Sequence, residues 1–178
     1  MPAKARLRKS DWIEGGLAAL AADGPGALNA EAMSRRMGTT KGSFYWHFAD
    51  VPAFHAALAS EWEQRALAGL AQALNRQAQP VQLLRALMAQ SPEDNRMERA
   101  MRGWAASAPE VAGVVGQVDA MRLQGVEAIL SAMKLANPDF ARLLMAARIG
   151  APQLPLGKGQ RETAPETLID VILALESA

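Results

Sequence analysis

Apolar residues recur at intervals of three and four along most of the chain: Ile13, Leu17 and Leu20 near the start, Phe54, Leu58, Trp62, Leu70 and Leu74 further on, Leu168, Val171, Ile172 and Leu175 at the end. Such spacing lines one face of a 3.6-residue helix, whereas a half-buried strand would alternate, and β-branched runs are scarce. The pattern therefore predicts an all-α chain. Its punctuation sets the elements. A first helix is expected over residues 10–23, with Ser10 as N-cap, Asp11 and Glu14 in the first turn, and Asp23-Gly24-Pro25-Gly26 as the stop. Asn29 caps a short helix to Met37, Gly38 breaks it, and another short helix covers 40–47. Asp50 opens a long helix to Arg76; further helices are expected over 80–89, from the Ser91-Pro92-Glu93-Asp94 cap to 108, over 109–135, and from the Asn137-Pro138-Asp139 cap to 149. Residues 151–163, rich in Pro and Gly, read as a loop before a last helix over 165–176.

The short helices around Gly38 carry the chemistry. Their joint through glycine puts the small Ser34 where they cross and turns Met33, Met37, Phe44 and Phe48 inward. Left on the open face are Thr39, Thr40, Lys41, Ser43, Tyr45 and His47, hydrogen-bonding and aromatic groups suited to base edges and phosphates in a major groove. The run Gly38-x-x-x-Gly42-Ser43-Phe44-Tyr45-x-His47-Phe48, behind a first helix and a basic arm, resembles the DNA-binding domain of the tetracycline-repressor (TetR) family over about residues 5–60. That resemblance implies a three-helix head with a helix-turn-helix (residues 1–50), followed by a helical ligand-binding and dimerisation body (51–178). It also implies that Lys41, Ser43, Tyr45 and Trp46 contact an operator while Asn29 and His47 serve the phosphate backbone. The implied protein is a cytoplasmic homodimeric repressor released from double-stranded DNA by a small-molecule effector. One position departs from the family pattern: Val51 stands where a phosphate-gripping lysine is usual.

Charge adds little beyond its distribution. Residues 1–50 hold seven Lys and Arg against five Asp and Glu, the rest twelve against thirteen, and the excess is concentrated at Lys4, Arg6, Arg8 and Lys9. A basic arm just ahead of the first helix of such a head has DNA within reach. Cysteine is absent, which removes disulfides and thiolate chemistry and permits a reducing compartment. No apolar stretch approaches the roughly 20 residues of a membrane span, and the basic start lacks the apolar core of a secretory signal.

In the body, Trp62, Met88, Met101, Trp104, Met121 and Arg122 are candidates to line an effector pocket, methionine because it adapts its shape. Ordinary core packing is the competing reading for the apolar ones, and an ion pair with Asp119 for Arg122. Phe140, Leu143 and Leu144 on one helix, with Leu168, Val171, Ile172 and Leu175 on the last, supply the broad apolar faces of a four-helix dimer interface. No catalytic residue, metal ligand or cofactor is expected. His47 and His55 are eight apart rather than at zinc-pair spacing, no nucleophile elbow or dinucleotide fingerprint occurs, and Leu156-Gly157-Lys158-Gly159 lacks the flanking pattern of a phosphate loop. The rival class is a helical adaptor whose head binds protein, which would lack a salt-dependent affinity for DNA.

Overall fold

The computed structural model describes residues 7–135, 137–155 and 160–176, with side chains in the last helix given for 163–174. Among these residues the chain is all-α: α1 (Lys9–Asp23), a 3-10 turn (Pro25–Ala27), α2 (Ala30–Arg36), α3 (Lys41–His47), α4 (Val51–Leu74), α5 (Pro80–Met88), α6 (Pro92–Ala105), α7 (Pro109–Ala132), α8 (Pro138–Gly150), a second 3-10 turn (Ala151–Gln153) and α9 (Gln160–Glu176).

Most boundaries fall where caps and breakers put them. Asp50 Oδ1 accepts from the Ala53 N–H at 2.7 Å, Ser91 Oγ from Asp94 N–H at 3.1 Å, and Asn137 Oδ1 from Asp139 N–H at 3.0 Å. Several ends differ from expectation: α4 stops at Leu74 rather than Arg76 and α6 at Ala105 rather than 108, and three others have a local cause. Ser10 is not the cap of α1: Asp11 reaches back to accept from the Arg8 backbone N–H at 2.7 Å, which starts the helix at Lys9 and holds that carboxyl below its ordinary range. At the other end of the chain, α9 begins at Gln160, so part of the expected loop is helical with Pro165 inside it, where proline's fixed φ fits a helix but its missing N–H and its ring disturb the bond to the carbonyl four residues back. Finally, α7 stops at Ala132 because Lys134 takes φ 63°, letting Leu135 N–H reach the Leu130 carbonyl at 3.0 Å in a left-handed cap.

Two compact units result. The first comprises Met1–Gln64 and Arg96–Val115. Phe44 is its hub: fully buried on α3, it meets Trp12 of α1 edge-on at 5.5 Å, Phe54 of α4 at 5.2 Å, and Phe48 at 5.3 Å. Edge-to-face rings at these separations add to the area they bury. α1 and α4 approach so closely that a Cβ at Gly16 would stand 2.6 Å from Phe54 Cζ and 2.7 Å from Leu58 Cδ2. The second unit comprises Arg65–Asn95 and Gly116–Ala178. Its core joins Leu70, Leu84, Leu87 and Met88 to Val126, Ile129 and Leu130, and to Leu144, Met145, Ile169 and Ile172 from α8 and α9. An exposed Arg85–Asp170 ion pair ties α5 to α9.

Candidate nucleic-acid interface

The turn between α2 and α3 is built by local chemistry. Gly38 takes φ 60°, which brings Thr39 N–H onto the Ser34 carbonyl at 2.9 Å and closes α2. Thr40 then caps α3, its Oγ1 accepting from Ser43 N–H at 3.4 Å. With Met33, Ser34, Phe44 and Phe48 all buried, the inward face is the expected one, and Met37 is half-buried with its sulfur against Gly15. The outward face of α3 is left to Lys41, Tyr45 and Trp46. Tyr45 is 52% and Trp46 64% exposed, although Tyr45 meets the Phe44 ring edge-on at 5.3 Å and Trp46 the His47 ring at 4.6 Å.

The candidate DNA residues divide by role. Ser43 and Thr39 are half-buried beside the exposed face. Asn29 caps α2, accepting from Ala32 N–H at 2.9 Å and donating to the Gly26 carbonyl at 3.0 Å. His47 is part-buried, and its Nε2–H donates to the Leu7 carbonyl at 2.8 Å, tying α3 to the segment ahead of α1. Lys41 Nζ meets Glu31 Oε2 at 2.8 Å. Hydrogen bonding and charge in that pair lower the carboxyl pKa of Glu31 and raise the ammonium pKa of Lys41. The pair therefore persists at neutral pH and is lost as pH falls through the depressed value of Glu31. Lys4 and Arg6 of the basic arm lie outside the described residues; of its other members, Arg8 pairs with Asp11 at 3.3 Å and Lys9 sits 5.4 Å over the Phe48 ring.

Two further arginines stand exposed in the last turn of α2, outside the expected set. Arg35 and Arg36 end α2 and line an open groove with Asp23, Gly26 and Asn29; Arg36 pairs with Asp23 at 2.6 Å. A basic doublet just before a helix-breaking glycine was the available signal. Val51 is half-buried, and the first turn of α4 is capped by the exposed carboxylate of Asp50.

Of the pocket candidates, Trp62, Met101 and Trp104 are buried in the first unit, Met88 and Arg122 in the second, and Met121 is 48% exposed. Arg122 lies 3.8 Å from Asp119. In the first unit Trp104 packs edge-on against His55 at 5.1 Å, while His55 Nε2–H donates to the Leu28 carbonyl at 2.8 Å, directly ahead of α2. The interface candidates also separate. Leu144 and Ile172 belong to the protomer's own core, with Phe140 and Leu168 packed against it; Leu143 (52%) and Val171 (49%) are the open ones, and the side chain of Leu175 lies outside the described set. The Leu156–Gly159 segment is likewise outside the described residues. No helix among those described is long and apolar enough to cross a membrane.

No protein-family model matches the chain, and no curated protein does. Solved structures do. A transcriptional regulator from Rhodococcus sp. Rha1 superposes with TM-score 0.78 at 20% identity, covering 94% of this chain and 97% of its own. A Rhodococcus protein assigned to the TetR family of transcriptional regulators gives 0.74 at 17%, covering 93% and 98%. The multidrug binding protein EbrR, solved in complex with imidazole, gives 0.57 at 22%, covering 95% and 94%. The chain thus has the fold of TetR-type regulators over nearly its whole length.

Proposed function

We propose that this chain is a TetR-family transcriptional regulator, a cytoplasmic homodimeric repressor that holds a DNA operator and leaves it when a small molecule binds. The observation that carries the reading is the outward face of α3. Tyr45 and Trp46 stand exposed beside Lys41, while Phe44 on the same short helix is locked into a ring cluster with α1 and α4. A rigidly seated helix that spends two large aromatics on solvent is suited to entering a major groove, with Lys41 and the α2 arginines on phosphates. Residues 1–50 take the DNA-binding role and 51–178 the effector and dimer roles. His47 acts through the Leu7 carbonyl, aiming the segment ahead of α1, and Asn29 through its cap on α2. Selection of bound genomic fragments by the purified protein should enrich inverted repeats whose half-sites lie about one helical turn, roughly 34–36 Å, apart. A flat enrichment profile would overturn the proposal.

Glu31 is expected to restrain DNA binding. Its carboxylate holds the Lys41 ammonium at 2.8 Å, and that contact must loosen before Lys41 can take a phosphate. Glu31→Gln should therefore raise operator affinity, by at most about fivefold because the pair is exposed, and steepen its salt dependence. Weaker binding in a gel-shift titration at fixed salt would contradict this.

Dimerisation is assigned to the open apolar positions of α8 and α9. Leu143→Asp with Val171→Asp should yield monomers by light scattering with little change in melting temperature, since neither side chain fills the protomer's core. Wild type that is monomeric at micromolar concentration would sink the assignment. Release by an effector requires that it prefer the DNA-incompetent conformation; a hundredfold loss of operator affinity corresponds to about 2.7 kcal/mol of preference. The contact from Trp104 through His55 to Leu28 supports such coupling, since it joins α6 to the entry of the helix-turn-helix. Compounds that raise the melting temperature should accordingly lower operator affinity.

A further inference from the structure

We infer that Glu31 reads DNA sequence itself, accepting a hydrogen bond from the N4 amino group of a cytosine at one position of each half-site. Glu31 lies in the first turn of α2, not on the helix that carries most of the expected contacts. Its Oε2 is nevertheless 2.8 Å from Nζ of Lys41, the first residue of α3. The opening residues of a recognition helix are the ones that meet base edges in a major groove. A carboxylate beside them is carried into the groove whenever α3 enters it. The Lys41 and Glu31 side chains are 57% and 66% exposed, so water competes for their pairing, which contributes little to stability and opens when better partners are at hand.

The chemistry of the groove decides which partners those are. Lys41 finds phosphate oxygens. An ionised carboxylate only accepts hydrogen bonds, so phosphates, purine N7, guanine O6 and thymine O4 all repel it. The donors that a major groove offers are the amino groups of cytosine and adenine, and these are not equivalent. Each has the oxygen of its pairing base on one side. On the other side adenine places its own N7 acceptor, whereas cytosine places a C–H. A carboxylate over cytosine therefore meets a donor without the second acceptor. Arg35, one turn further along α2, also attracts Glu31 and is the competing partner once Lys41 has left. It is exposed, however, and drawn to phosphate as Lys41 is, which leaves the carboxylate to a base. On most sequences Glu31 then opposes binding, and at a cytosine that cost is offset, so the same charge rejects wrong sequences.

This inference rests on the regulator reading and names a specificity determinant within it. The full chain and the variants Glu31→Ala, Glu31→Gln and Lys41→Ala are each used to select from a randomised duplex pool, and the bound duplexes are sequenced. Wild type is expected to enrich an inverted repeat with one position per half-site dominated by cytosine. Glu31→Ala should lose that preference and keep the rest of the repeat. Glutamine retains an acceptor and adds a donor, so Glu31→Gln should admit adenine there as well as cytosine. Lys41→Ala should keep the cytosine, because Glu31 makes the base contact directly. In titration, replacing that C·G pair by T·A should weaken wild type about tenfold and Glu31→Ala by less than about twofold. A flat wild-type profile would remove the regulator reading and this inference together. A defined wild-type repeat that Glu31→Ala reproduces at every position would overturn the inference alone, as would loss of the cytosine by Lys41→Ala, which would make Glu31 a positioning residue for Lys41. Should circular dichroism show the alanine variant unfolded, Glu31→Gln decides: a position still restricted to cytosine overturns the assignment.

Discussion

Phe44→Ala is expected to cost about 3–5 kcal/mol and to abolish DNA binding with it. The ring is completely buried and touches Trp12, Phe48 and Phe54, so its removal empties the point at which α1, α3 and α4 converge. Collapse into the void is impeded on one side, because α1 and α4 are already as close as Gly16 allows. α3 is too short to persist alone; a helix of its length depends on tertiary packing of its apolar face. Urea denaturation followed by far-UV circular dichroism measures the loss. A change below about 1 kcal/mol would mean that the ring cluster is not what seats the recognition helix.

Removing Lys41 and Tyr45 together should do the opposite: leave the fold and destroy the function. Both side chains are exposed, and neither fills the core beneath α3. The double variant Lys41→Ala, Tyr45→Ala is expected to lose about tenfold to a hundredfold in operator affinity per residue, with a melting temperature close to wild type. The two losses should differ in kind. That of Lys41 falls on all sequences and lowers the salt slope by about one, as for a phosphate contact, whereas that of Tyr45 falls chiefly on the preferred sequence. A gel-shift series at two salt concentrations separates them.

The head was legible because its determinants are local. Gly38 must supply a left-handed turn, Asn29 and Thr40 cap the helices that follow them, and the spacing of Met33, Phe44 and Phe48 fixes one inward face. What escaped depends on partners distant in sequence. Nothing in the spacing of Glu31 and Lys41 announces an ion pair, nor does the position of His55 announce its bond to Leu28. Helical periodicity also cannot say against what an apolar stripe is buried. Leu143 and Leu144 are adjacent members of one such set, yet one faces solvent and the other sits in the protomer's own core. The same ambiguity divided the pocket candidates between two units. The early start of α9 is hidden by a rule usually sound: proline belongs at a helix start and disturbs an interior, yet α9 runs through Pro165.

Whether α3 reads DNA sequence is measured by titrating the purified protein against its best selected duplex and against a scrambled duplex of equal length and composition, both at 150 mM salt, a value near physiological ionic strength. The selected duplex is expected to bind at least about a thousandfold more tightly, and Tyr45→Ala to erode this ratio more than it erodes binding to the scrambled duplex. Equal affinity for the two duplexes, or a ratio untouched by Tyr45→Ala, would contradict it.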